Sequence, residues 1–188
     1  MEILIKPVFS TERMDFILMN QSVYDQIFSG KYTDEEQMRF FGFTDPDLLK
    51  IERDRYSIGL TTFNRTFCYF QLRGKTDGKL LGHCGFHTIF PIHQRAELFY
   101  SLLSDEYKQN GLMTEALVVV LKYGFTTLDL HRIEALTATY NKASLSLLLK
   151  FGFLYEGTLR AHYKVGEKLE DSVIFSLIRT EHEPENDE

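Results

Sequence analysis

Between Tyr107 and Phe153 the chain gathers residue types that bind charge and move protons. The run Lys108-Gln109-Asn110-Gly111-Leu112-Met113-Thr114 carries no proline and no acid before Glu115 and leads into an apolar stretch. A helix is expected to open at the glycine with its first amides pointing outward, and unpaired N–H groups at the positive end of a helix dipole bind anions. Further along, Asn141 and Ser144 stand at the N-cap and N3 positions of a second expected helix, which Gly152 stops. Asn141 caps that helix whatever else it does, and Ser144 presents a hydroxyl in the first turn. Glu97 opens a strand that is apolar beyond it, so its charge must be solvated or paired, with Arg95 or another cation as the plain alternative to a chemical role. His83, His87 and His93 are candidate bases, but i, i+4 spacing on a strand does not make a metal site, and no metal is expected.

These groups need a scaffold. Met14 to Met19 reads as a strand ending at an Asn20 cap, Ser22 to Phe28 as a helix stopped by Gly30, and Thr33 to Phe40 as a helix with a Thr33/Glu36 capping box. Asp45-Pro46 opens a third helix to about Ile58. Thr66 to Arg73 and Leu80 to Phe90 read as strands joined by a turn with Asp77-Gly78 at its tip, the second placing His83, Gly85 and His87 on one face. Arg95 to Leu103 looks apolar on both faces after Glu97, as for a central strand covered on each side. A strand at Arg132 to Thr139, strands at Tyr155 to Val165 and Asp171 to Ile178 around a turn at Gly166, and an acidic tail from Glu181 to Glu188 complete the chain. Strands flanking a βαβ unit imply an α/β fold with one mixed sheet and a ligand crevice between the strands at Leu98 to Leu103 and Arg132 to Thr139.

The 188 residues fit a single domain, with its core over roughly residues 8 to 180. No apolar run approaches a membrane span and no signal-peptide pattern opens the chain, so a cytoplasmic protein without a membrane partner is expected. Cys68 and Cys84 have neither metal-ligand nor redox-motif spacing. A net charge of −6 argues against a nucleic-acid partner and for a cationic one.

The segment Lys108 to Ala116, then His131-Arg132-Ile133-Glu134-Ala135, then Asn141-Lys142-Ala143-Ser144 up to Phe151-Gly152-Phe153 resembles the GNAT N-acetyltransferases of the RimJ/RimL type. No single piece is specific, since a glycine before a helix is common, but three in order over about 45 residues are a strong signal. The resemblance implies a single-domain fold with a mostly antiparallel central sheet splayed at a central crevice and helices on both faces. It also implies acetyl transfer from acetyl-CoA to a primary amine, a protein N-terminus or a small molecule, by a monomer or homodimer. The loop residues Lys108, Gln109, Asn110, Gly111, Leu112, Met113 and Thr114 would then wrap the pyrophosphate of the cofactor, with Asn141 beside the pantetheine arm. Two residues depart from the family pattern: Lys108 stands where Arg or Gln is usual, and Met113 where Gly or Ala is usual.

Acetyl transfer needs a neutral amine, donors for the carbonyl oxygen and a proton for the departing thiolate. Strand-edge amides near Leu102 and Leu103 are expected to serve the second need, and the resemblance suggests Glu97 as a water-linked base and Ser144 as the proton donor. It also marks Tyr163 as a candidate for the acceptor pocket, while Phe40, Phe41 and Phe43 read as core or pocket wall. The alternative is a non-catalytic acyl-CoA-binding module on the same scaffold. Gly111→Val is expected to weaken acetyl-CoA binding at least about tenfold, because a side chain there intrudes where backbone must approach a phosphate, while thermal stability stays nearly intact. Calorimetry and a melting curve check both halves.

Overall fold

The computed structural model describes residues 3–59 and 67–182. An eight-stranded sheet runs in the order β1-β2-β3-β4-β5-β6-β8-β7. Its strands are β1 (Phe9–Ser10), β2 (Met14–Met19), β3 (Cys68–Gly74), β4 (Leu80–Phe90), β5 (Arg95–Leu102), β6 (Arg132–Ala138), β7 (Leu154–Val165) and β8 (Lys168–Ile178). All neighbours are antiparallel except β5 and β6.

The helices begin where cap chemistry starts them. Helix α1 (Gln21–Ile27) opens on the Asn20 side chain, which accepts from the Val23 amide at 3.1 Å. Helix α2 (Asp34–Phe41) has both halves of the Thr33/Glu36 capping box, and α3 (Pro46–Ile58) follows the Asp45 cap with its proline at the first position. Helix α4 (Leu112–Thr126) starts at Gly111, α5 (Lys142–Lys150) at Asn141, and α6 (Arg179–His182) is a single turn.

Alternation along the strands builds two cores. Phe16, Phe70, Leu72, Phe86, Leu98 and Ile133 face α4, where Ala116, Leu117, Val120 and Leu121 are fully buried. The helix lies close to the sheet because Gly124 has no side chain: a Cβ there would sit 2.6 Å from the Phe86 ring. On the opposite face Ile17 and Met19 pack with Tyr24, Ile27, Phe40, Phe41 and Leu49 from α1, α2 and α3. Each large apolar side chain so buried contributes about 1.5–3 kcal/mol.

Four expectations change. Strand β3 starts at Cys68, and the proposed start at Thr66 lies outside the described residues. Strand β8 starts at Lys168 instead of Asp171, since pairing continues through Val165↔Lys168 to the turn at Gly166. Glu181 belongs to α6 and caps it by accepting from the Ile178 amide at 2.9 Å; residues 183–188 of the expected tail lie outside the described residues. Strand β5 is covered on one face only: Ala96 and Leu98 are buried, but Glu97, Phe99 and Ser101 are not. No helix among the described residues is long and apolar enough to cross a membrane.

The parallel pair decides the architecture. Strands β5 and β6 pair only at Arg95↔Arg132, Ala96↔Ile133 and Glu97↔Glu134, and then part. Their shared start is fastened by the Gln94 carbonyl, which accepts from the His131 and Arg132 amides at 2.6 and 3.0 Å. Ion pairs reinforce it: Arg95 and Arg132 each meet Glu134 at 2.9 Å. Arg132 also grips Glu156 with two hydrogen bonds, and Ser176 donates to the same carboxylate at 2.6 Å. Those bonds, Arg132 first, pull the Glu156 carboxyl down from 4.5 to about 2. A depressed carboxyl adds stability that is fully present above its unfolded value and is lost as pH falls toward its folded value. Glu156→Gln is therefore expected to flatten the fall in stability between about pH 4.5 and 2, read from denaturant midpoints.

Candidate active site

The loop before α4 is shaped by backbone conformation and by one distant arginine. Gln109 and Gly111 both adopt left-handed conformations, with φ of 60° and 73°. Arg13, from the β1–β2 turn, donates to the Asn110 carbonyl at 2.8 Å and to Glu115 at 2.6 Å, while its own amide reaches Glu115 at 3.0 Å. With the Asn110 carbonyl so engaged and the first intrahelical bond running from Glu115 N–H to Gly111 at 3.0 Å, the Leu112, Met113 and Thr114 amides precede the helical ladder. The Met113 side chain is buried in the core and does not enter the loop's concave side. Lys108 is paired with Asp105 at 2.5 Å. A β-branched side chain at a φ of 73° is strained by roughly 1–2 kcal/mol, so Gly111→Val will also lower thermal stability, contrary to the expectation from sequence.

Beyond Glu97, β5 presents an open edge. The Leu103 amide donates to the Leu81 carbonyl at 2.9 Å, so Leu103 is not a free donor as expected. In an antiparallel ladder alternate residues point their backbone groups to opposite neighbours. The odd positions of β5 therefore serve β4, and the amides of Leu98, Tyr100 and Leu102 face the gap that opens toward β6. Leu102 was legible from the sequence; Leu98 and Tyr100 were not. The N-terminus of α5 reaches across the same gap: Asn141 caps it by accepting from the Ser144 amide at 3.1 Å, and the Ser144 hydroxyl lies 3.0 Å from the Tyr100 hydroxyl. Burial raises the Tyr100 phenol above its ordinary value, so it keeps its proton.

The side chains of Glu97, Phe99 and Ser101 lie on the other face, toward α1, α2 and α3. Glu97 meets the His87 imidazole at 3.6 Å, while Arg95 turns to Glu134. A break in the β4–β5 register next to His87 places Thr88 at a φ of 53°, a strained conformation for a β-branched residue, and Thr88 holds the His87 ring at 2.9 Å. His87 stacks on Phe99 at 5.6 Å. Phe99 and Ser101 in turn line a cavity of about 300 Å³ with Phe41, Phe43, Tyr69 and His83.

His83 is part-buried in the cavity wall. Burial, then the nearby Arg73 charge, hold its imidazole down to about 4, and it is neutral at physiological pH. His93 sits exposed in the turn after β4. Tyr163 is half exposed on β7, separated from β5 by β6 and β8, and does not join the cavity. Phe40 is core and carries Arg73 over its ring at 4.5 Å, whereas Phe41 and Phe43 form wall. Both cysteines are free, and burial raises both thiols. No group of three or more His, Cys, Asp or Glu side chains that could hold a metal occurs among the described residues.

Sequence reading missed Tyr100, Arg13 and the carboxylate at the cavity floor, Glu52, which is only 5% exposed. Glu52 accepts from the Tyr24 hydroxyl and from Arg55 at 2.8 Å, and Tyr24 meets Tyr69 at 2.8 Å. A signal was present in α3, where Glu52 lies three residues from both Leu49 and Arg55 on the apolar stripe.

A mostly antiparallel sheet opened at its one parallel junction, with a glycine-started helix at the mouth of the opening, defines an acyltransferase scaffold. The chain matches the acetyltransferase (GNAT) domain family over residues 15–154, and it belongs to that family. It is 31% identical over 182 residues to the uncharacterized N-acetyltransferase YoaA of Bacillus subtilis, covering 92% of this chain and 97% of that protein. It is 27% identical over 106 residues, 56% of each chain, to the spermidine N(1)-acetyltransferase of Escherichia coli. The fold superposes on the ribosomal-protein-S5-alanine acetyltransferase of Vibrio fischeri with a TM-score of 0.66 at 22% identity, over 94% of this chain and 98% of that one. The resemblance read from the sequence is thus borne out, and the protein is an acetyltransferase of the GNAT family, whose members use acetyl-CoA.

The depressed His83 value has a consequence for stability. An unfolded histidine takes up its proton near pH 6.5 while the folded one resists until about 4, so stability falls as pH drops through that window. His83→Gln is expected to reduce the slope of stability against pH between about 6.5 and 4, and a ring titration followed by NMR should place the wild-type His83 midpoint near 4.

Proposed function

We propose that the chain transfers the acetyl group of acetyl-CoA to a primary amine, a protein N-terminus or a small molecule, by direct attack in a ternary complex. The observation that carries this reading is the slot between β5 and β6, walled by the Leu98, Tyr100 and Leu102 amides and ending near the N-terminus of α4. An amide-bearing arm can pair with the first and a pyrophosphate with the second, so the residues present fit the cofactor. Gln109, Asn110, Gly111, Leu112, Met113 and Thr114 would hold the phosphates through their backbone, with Asn141 flanking the arm and Lys108 reaching the phosphates only by leaving Asp105.

Opposite faces of β5 divide the proton traffic. As nitrogen bonds to the acetyl carbon and the carbon–sulfur bond breaks, the amine proton leaves through water toward Glu97, whose carboxylate shares the His87 imidazole. The departing sulfur takes a proton from Ser144 on the other face. A serine alone is a weak acid, but Tyr100 can donate to its oxygen in the same motion, and solvent then restores the pair. Incubation with acetyl-CoA and a panel of amines, following free thiol, tests the assignment. Turnover on any amine supports it, and tight acetyl-CoA binding without turnover on any acceptor favours the binding-module alternative.

Ser144→Ala and Tyr100→Phe are each expected to lower kcat, by about tenfold given a thiol whose ordinary pKa near 8.5 makes it a fair leaving group, while the acetyl-CoA Kd is unchanged. For Glu97 the size of the effect depends on the acceptor. An α-amine with a pKa of about 7.8 is neutral in roughly one molecule in seven at pH 7, against about one in 2,500 for a lysine-type amine near 10.4. Glu97→Gln should therefore cut kcat/KM by about 10²-fold or more on a high-pKa amine and modestly on a peptide N-terminus, with the deficit shrinking as pH rises toward the pKa of the amine. Parallel pH–rate profiles offset by less than about twofold would leave Glu97 a structural carboxylate.

A further inference from the structure

The cavity beside Phe99 and Ser101 is the natural seat for the part of the acceptor that carries the amine, and its chemistry narrows what that part can be. This step rests on the acetyl-transfer reading above. The volume, about 300 Å³, lies at the lower end of the range for small-molecule pockets and suits one ring-sized group. Rings supply most of the wall: Phe41 stacks on Phe43 at 5.3 Å, and Tyr69 meets Phe99 and His83 at 6.1 Å each. Phe67, 40% exposed, completes the rim.

The charges in the wall cancel. Glu52 is the one carboxylate among the described lining residues, and Arg55, also in the lining, holds one of its oxygens while the Tyr24 hydroxyl donates to the other. A cation entering the cavity therefore finds a carboxylate already engaged and a guanidinium beside it. The rings offer some cation–π attraction, about 0.5–1 kcal/mol for an exposed pair, but a polyamine brings several ammonium groups that would each need an acidic partner when desolvated. His83 reports the same environment, since burial and the Arg73 charge keep a proton off it. An amine drawn toward this site is pushed the same way, toward the neutral form that attacks a thioester.

We infer that the acceptor is a monoamine whose amine-bearing carbon carries an uncharged, apolar group seated among Phe41, Phe43, Phe67 and Phe99, and that polyamines are disfavoured. Such a group can come from a free arylalkylamine or from an apolar first residue of a peptide. The net charge of −6 over the whole chain does not reverse this, because exposed charges more than about 8 Å away are screened at physiological salt.

The test compares kcat/KM at saturating acetyl-CoA for 2-phenylethylamine, a peptide beginning with Phe, a peptide beginning with Asp, and spermidine. Binding of 2-phenylethylamine in the presence of coenzyme A is measured separately by calorimetry. The expected result is at least about a tenfold preference for the two apolar acceptors over spermidine and over the Asp peptide. The faster of the two then tells whether the natural source is a free amine or a protein N-terminus. Phe67→Glu, at the solvent-facing rim, should lower kcat/KM for 2-phenylethylamine by about fivefold and raise it for spermidine, since it adds an unneutralised acid beside the described lining, whose one carboxylate is already engaged. Spermidine preferred by the wild type would overturn the inference and leave acetyl transfer standing. Amine binding weakened by Phe67→Glu, without turnover on any acceptor, would sustain the pocket assignment and overturn acetyl transfer. Neither turnover nor binding of the apolar amine would overturn the pocket assignment as well.

Discussion

The structure depends on a pair of parallel strands that are allowed to touch for three residues and no further. Left to itself an unpaired strand edge inside a sheet is costly, because buried backbone groups need partners. Here the contact is concentrated at one end by Gln94, Arg95, Arg132 and Glu134, and the rest of the edge is left to face a slot. The hydroxyl pair of Tyr100 and Ser144 crosses that slot from the helix side, linking β5 to the start of α5 without closing the backbone edge.

Because side chains alternate along β5, the same strand serves two chemically different faces. Tyr100 goes with the apolar core under α4 and α5, while Glu97 shares the opposite face with Phe99 and Ser101, which line the cavity. Glu97 and the Tyr100–Ser144 hydroxyl pair are thereby held on opposite sides of one strand. The wall of the cavity needs its own support. Glu52 is buried and would be costly alone, but Tyr24 and Arg55 satisfy it, and Tyr24 ties α1 to α3 and to Tyr69 on the sheet.

The loop before α4 shows the same economy at a smaller scale. Its carbonyl at Asn110 is occupied by Arg13, a residue of the far edge of the sheet, so that the amides at the helix start are held in one arrangement. Two residues in left-handed conformation, one of them the non-glycine Gln109, give the loop its turn.

Local chemistry made much of this legible in the sequence. The caps at Asn20, Thr33, Asp45 and Asn141 and the Asp77-Gly78 turn follow from side chains that satisfy backbone groups within a few residues, and the start of α4 from the left-handed conformation glycine adopts readily, which is information a sequence carries directly. The order of those pieces was enough to point to the family. What needed the tertiary structure was everything that depends on register or on contacts across long separations. Whether Leu103 or Tyr100 turns its amide to the slot is set by the β4–β5 ladder. That Glu97 meets His87 is set by the β4–β5 register, which places the two directly opposite each other. That Arg13 reaches Glu115, and Glu52 reaches Tyr24, is set by how the cores bring distant elements together. A one-residue slip in pairing reverses every facing in a strand, and nothing local to β5 specifies that slip, so the composition of the site, unlike its location, was decided only by the folded sheet.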